Sequence, residues 1–231
     1  MEPALVAPAS LPATPAARRA FSPRAGREGV VVAAGDSAAL QPRPTPCGYA
    51  GASRGLYALL MARAAGLPND DLFARMLVSQ AGAQSALPAG LGLDSHDFRS
   101  LMTRHYPGFG LPAPLARPVD LGERGAEWND LLALLMEYRA GADSSETWMA
   151  LIVASACMGA DHLWQDLGLW SRADLTQLMA GNFPGLSALN SHDMKWKKFL
   201  YKQLCDRAGI TVCRSPSCEV CVDYAKCFGR E

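Results

Sequence analysis

Apolar positions recur along the chain at three- and four-residue intervals, and turn residues cut them into helix-length pieces. Leu56, Tyr57, Leu59 and Leu60 predict a helix over Ser53 to Ala65, stopped by Gly66 and Pro68. Asn69 or Asp70 is placed to cap a second helix carrying Leu72, Phe73, Met76 and Leu77. Asp94 or Ser95 opens a third, with Phe98, Leu101 and Met102 in phase and Pro107 beyond its end. A Pro/Gly-rich loop covers roughly 107–125, and Glu127 to Arg139 reads as the next helix. Asp143-Ser-Ser-Glu146 is a capping box ahead of the apolar run 148–158, and Ser171-Arg-Ala-Asp174 is a similar start for Leu175 to Ala180. Asn190 or Ser191 begins a last helix through about Arg207, ended by Gly209. Only Val30 to Ala33 and Ile210 to Val212 look β-like, and no internal repeat is present. The pattern predicts an all-α fold.

Residues 1–46 break the pattern. They hold eight of the sixteen prolines, many alanines and a single aromatic, Phe21. Such a stretch buries too little surface to offset the entropy of ordering it. A disordered tail over 1–46 is therefore expected, ahead of a helical domain over 47–231. Five arginines against three acids give the tail a faint likeness to a transit peptide, but a solvated Ala/Pro tail is the favoured reading.

Composition narrows the function classes. At 231 residues and 49% apolar, there is enough material for one core-forming domain. Lys+Arg and Asp+Glu are both 22, and a chain with no basic excess is a poor candidate for nucleic-acid binding. The longest apolar run, Trp148 to Ala160, stops after 13 residues at Asp161 and His162, short of the roughly 18 a membrane span needs. No charged-then-apolar run follows Met1, so a cytoplasmic location is expected. No G-x-S-x-G elbow or P-loop is present, and no ordinary enzyme machinery is expected.

The cysteines carry the chemistry. There are seven, an odd count that argues against a disulfide framework. Four of them, Cys213, Cys218, Cys221 and Cys227, form C-x4-C-x2-C-x5-C in a terminal loop, 213–227. Four thiolates in a short run suit an iron–sulfur cluster or zinc. Structural zinc sites usually pair two C-x2-C knuckles across a longer spacer. A single C-x2-C with one cysteine on each flank favours the cluster, with zinc or redox thiols as the alternatives.

Three further features lie close by in sequence. Cys205 stands eight residues before Cys213 as a possible fifth ligand, although a buried free thiol is the commoner fate. Lys195, Lys198 and Lys202 share a helical face; such a stripe is usually only solvated, but it can attract an oxyanion or dock an acidic partner. His162 sits four residues before Asp166, a spacing at which the acid can fix the imidazole tautomer for metal binding. The competing reading is a histidine hydrogen-bonded in a turn. His105, at a helix end, is explained by the favourable dipole there.

Taken together, the residues from about Asp161 to Glu231 resemble the NifQ family of nitrogen-fixation proteins. The matching pieces are Asp161-His-Leu-Trp-Gln-Asp-Leu-Gly-Leu, Phe183-Pro, Asn190, Met194-Lys-Trp-Lys-Lys-Phe, Lys202-Gln-Leu-Cys, the four-cysteine spacing and Cys227-Phe-Gly-Arg-Glu. The resemblance implies an iron–sulfur cluster, of the 3Fe-4S or 4Fe-4S type, that takes up molybdenum as a Mo–Fe–S species. It implies donation of that metal to the iron–molybdenum cofactor of nitrogenase. The implied partners are the cofactor assembly scaffold, the nitrogenase iron protein, and molybdate or another molybdenum source. The family's ligands map onto Cys213, Cys218, Cys221 and Cys227. His162, and after it Cys205, are the candidates to complete a molybdenum corner, and the lysine face is the candidate to receive molybdate. The rival classes are a zinc-stabilised helical interaction module and an iron–sulfur DNA glycosylase, the latter disfavoured by zero net charge and the lack of a helical hairpin with a small-residue turn.

Overall fold

The computed structural model describes residues 50–110 and 116–208. The expected tail over 1–46, both β-like runs and the four-cysteine loop lie outside the described residues. Among those residues the chain is helical throughout, with no strand: α1 Ala50–Met61, α2 Asp70–Ala81, α3 Ser95–His105, α4 Gly125–Glu137, α5 Ser145–Cys157, α6 Leu163–Asp166, α7 Arg172–Asn182, α8 Pro184–Leu189 and α9 Trp196–Arg207. A single 3-10 turn at Gly122–Arg124 precedes α4. None of these helices is long and apolar enough to cross a membrane.

Helix α5 is the centre of the core. Its sequence is apolar on every side, which is stable only when the helix is surrounded. Met149, Ala150, Ile152, Val153, Ala154 and Ala156 are all fully buried. α4, α6 and α3 pack against it, and α9 packs against α4. Leu131, Leu134 and Leu135 of α4 and Phe199 and Leu200 of α9 complete this part of the core.

The start of α5 follows from its acids. The Glu146 carboxylate accepts the amides of Gly141, Ala142 and Asp143 at 2.7–2.9 Å, and Asp143 accepts the Ser145 amide at 2.8 Å. Four otherwise orphaned donors are thereby satisfied. Ser171 and Asp174 form the expected reciprocal box at the start of α7. Asp94 caps α3 by accepting the amides of His96 and Asp97.

Two expectations are corrected. Asn69 precedes α2 in a left-handed conformation (φ 74°) and makes no cap bond. Its amide instead reaches Ser145 Oγ at 3.0 Å and Asn182 Oδ1 at 2.8 Å, joining the starts of α2 and α5 to the end of α7. The final helix begins at Trp196 rather than Asn190 or Ser191. Asn190 closes a turn on itself: its side chain accepts the Met194 amide at 2.9 Å and donates to the Met194 carbonyl at 3.0 Å. Asp193 inside this turn has φ 49°, which no helix permits. An asparagine side chain that imitates backbone hydrogen bonding thus delays α9 by more than a turn.

Candidate metal centre

Helix α9 is the element that leads to the four-cysteine loop, and its buried face sets two polar groups, Lys197 and the Tyr201 hydroxyl, among the apolar Trp196, Phe199 and Leu200. The Lys197 side chain is 7% exposed, and its ammonium forms an ion pair with Asp166, 1% exposed, at the end of α6. It also donates to the Gly159 carbonyl at 2.8 Å, just past the C-terminal end of α5. The Asp161 amide donates to the same Asp166 carboxylate at 3.0 Å. Asp166 Oδ1 is buried without a hydrogen-bond partner. Burial raises the Asp166 pKa above the usual carboxylate range, against the pull of Lys197.

One turn along α9, the Tyr201 hydroxyl donates to Glu127. Arg124 holds Glu127 through two bonds, at 2.7 and 2.9 Å, and donates to the Met158 carbonyl at 2.8 Å. Its guanidinium keeps the Glu127 carboxyl below its ordinary value. Two cations, Lys197 and Arg124, therefore meet carbonyls at the negative end of α5, where positive charge is favoured. Cys157 lies at this end, and burial pushes its thiol up to about 12.

The sequence-expected residues fall as follows. His162 is exposed and stands at the start of α6, its amide donating to Gln165 Oε1 at 3.3 Å. The expected His162–Asp166 pairing is not made, because Asp166 is engaged by Lys197 and Asp161. Cys205 is a half-buried free thiol in the last turn of α9. The lysine stripe does not lie on one helix: Lys195 precedes α9 in extended conformation (ψ 127°). Lys198 is half-exposed within α9, and Lys202 is exposed and pairs with Asp206 at 2.6 Å. Cys213, Cys218, Cys221 and Cys227 lie outside the described residues. Among the described residues, no group of three or more His, Cys, Asp or Glu side chains is gathered to hold a metal ion.

Lys197 was missed by reading the lysines as an exposed stripe. Its signal was available, since it lies four residues before Tyr201 and seven before Leu204, in phase with the packing side of α9.

A family model described as NifQ matches residues 72–229, a span that runs from within α2 through α9 and takes in all four loop cysteines. "Protein NifQ" of Azotobacter vinelandii is 46% identical over 168 residues, covering 68% of this chain and 86% of the relative. "Protein NifQ" of Rhodobacter capsulatus is 40% identical over 159 residues, with the same coverage of 68% and 86%. "Protein NifQ" of Klebsiella pneumoniae is 35% identical over 168 residues, covering 70% of this chain and 99% of the relative. No solved structure matches the chain.

Proposed function

Because the chain belongs to the NifQ family of nitrogen-fixation proteins, we propose that it carries an iron–sulfur cluster and passes molybdenum to the assembly of the nitrogenase iron–molybdenum cofactor. The observation that carries this reading is the family match running through the complete C-x4-C-x2-C-x5-C loop. Cys213, Cys218, Cys221 and Cys227 hold the cluster; their chemistry as four soft donors fits it. When bound, the cluster supplies sulfide ligands on which molybdenum rides as cargo.

The chain's own residues serve uptake and release. His162 is exposed on the turn before α6 and offers an imidazole nitrogen to molybdenum, with Cys205 as the second candidate. Lys195, Lys198 and Lys202 add positive charge near and along α9 and favour the approach of the molybdate dianion. The cofactor assembly scaffold and the nitrogenase iron protein are the partners this role requires.

Cys221→Ser tests the reading. The anaerobically prepared variant is expected to lose its brown chromophore and most of its iron. Retention of both at the wild-type level would overturn the ligand assignment, and zinc in place of iron in the wild type would favour a structural zinc module.

A further inference from the structure

Helix α1 is apolar nearly all round yet leaves one face in solvent. Of its twelve residues, Ala50–Met61, only Ser53, Arg54 and Tyr57 carry a polar group. It packs against α2, with Leu60 in the core and Leu56, Tyr57 and Met61 against it. Gly55, Ala58, Leu59 and Ala62, at i, i+3, i+4 and i+7, share another face, and all four are exposed. Ala62 continues that face because its amide still reaches the Ala58 carbonyl at 2.9 Å. Leu59, at 61%, is the most exposed large apolar side chain among the described residues. A surface helix turns polar side chains outward, and a helix apolar all round is stable when covered. The outer face of α1 has the composition of a contact surface.

Its rim indicates what covers it. Arg54 and Arg63 are exposed towards the two ends of the face. Arg63 is held to the uncharged Gly108 carbonyl at 2.8 Å, and α1 has no acidic residue. A second copy would bring two more arginines and no acid of α1 to answer them. One leucine among three small residues also buries far less than the roughly 800 Å² per partner of a stable complex. Such a patch suits a brief encounter with a protein of opposite charge. We propose that the outer face of α1 docks a partner protein through an apolar patch rimmed by carboxylates. The inference rests on the carrier reading above, which requires contacts that form and part. The partner is one of the two proteins that role requires, the cofactor assembly scaffold or the nitrogenase iron protein. α1 lies ahead of the matched span 72–229, so this surface can fail without touching the cluster reading.

The test measures binding of the full-length, anaerobically prepared protein to each of these two purified proteins, at low and high salt. It compares the wild type with Leu59→Asp and with the double variant Arg54→Glu/Arg63→Glu. Melting temperature, iron content and oligomeric state are read for each. The substituted side chains are exposed, so all three are expected to match the wild type. The wild type is expected to bind one of the two probes, more weakly at high salt. Leu59→Asp sets a carboxylate in the apolar centre and is expected to weaken that binding at least about 10-fold. The charge-reversed variant is expected to associate more slowly and to lose the salt-dependent part of the binding. Leu59→Asp binding at wild-type strength would overturn the inference, as would a wild type that binds neither probe. An unchanged salt dependence in the charge-reversed variant would overturn the acidic rim of the partner. Dissociation of a wild-type oligomer by Leu59→Asp would give the face to a second copy. Wild-type binding to phosphatidylcholine–phosphatidylglycerol vesicles, lost in Leu59→Asp, would give it to a membrane; either result overturns the inference. Should Leu59→Asp not fold, Leu59→Ser is expected to weaken binding in the same direction, and unchanged binding there would equally overturn it. A wild type that binds its probe but takes up no iron would instead sink the carrier reading and leave the docking surface standing.

Discussion

The ammonium of Lys197 and the carboxylate of Asp166 meet out of solvent, where the start of α9 crosses the end of α6. Asp166 Oδ1 is already without a hydrogen bond. Removing one member strands the other in a low-dielectric site. Lys197→Ala is therefore expected to destabilise the fold by about 3–5 kcal/mol, read by chemical denaturation. A loss under about 1 kcal/mol, the range of an exposed pair, would contradict the burial described.

Gly159 fits against this pair for lack of space. A Cβ at this position would meet Asp166 Oδ1 at 2.6 Å and Oδ2 at 2.7 Å. The carboxylate cannot swing aside without abandoning Lys197. Gly159→Ala should cost about 1–3 kcal/mol, as overpacking of a filled interior does. A neutral effect in denaturant titration would show that the turn relaxes freely.

His105 supplies the pH dependence. It is fully buried between Phe73 and Trp148, with Nδ1 2.6 Å from Asp70 Oδ1. Burial lowers its pKa, against Asp70 and Asp143, with Arg104 acting in the same direction as burial. The dipole of the helix end, which favours a charged histidine, is overridden by desolvation. The unfolded chain takes up a proton near pH 6.5 that the folded chain refuses. Stability is full above that pH and falls as pH drops from about 6.5 through the lower folded value. Thermal melts of wild type and His105→Gln across this window should show a steeper acid loss for the wild type. Parallel curves would refute the assignment.

His162→Ala addresses the cargo. The side chain is exposed at the N-cap of the short helix α6, so the fold should lose no more than about 1 kcal/mol. Iron content is expected to stay at the wild-type level while molybdenum occupancy falls. Molybdenum at the wild-type level would leave His162 without a ligand role.

The helical architecture was legible because α2, α3, α5 and α7 announce themselves locally. α2, α3 and α7 space their apolar residues at helical intervals, α5 carries a continuous apolar run, and each of the four has an acid or hydroxyl at its start. Where the reading failed, a side chain chose a partner distant in sequence. Asn69 was spent on Ser145 and Asn182, 76 and 113 residues away, rather than on capping its own helix. Asn190 imitated a turn of backbone and pushed the start of α9 to Trp196. At the candidate centre, the proximity of His162 and Asp166 in sequence suggested a pairing. The structure gives Asp166 to Lys197, 31 residues on. A spacing of four identifies neighbours on a helix, but His162 stands before α6 rather than within it.

The central claim is tested most directly by iron, sulfide and molybdenum stoichiometry of anaerobic protein, with a spin-resonance spectrum of the same sample before and after molybdate loading. The account predicts several irons with matching sulfide per chain, molybdenum bound after loading, and a spectrum that changes as molybdenum enters. Colourless protein with zinc alone, after rigorous exclusion of oxygen and supply of iron and sulfide, would contradict it.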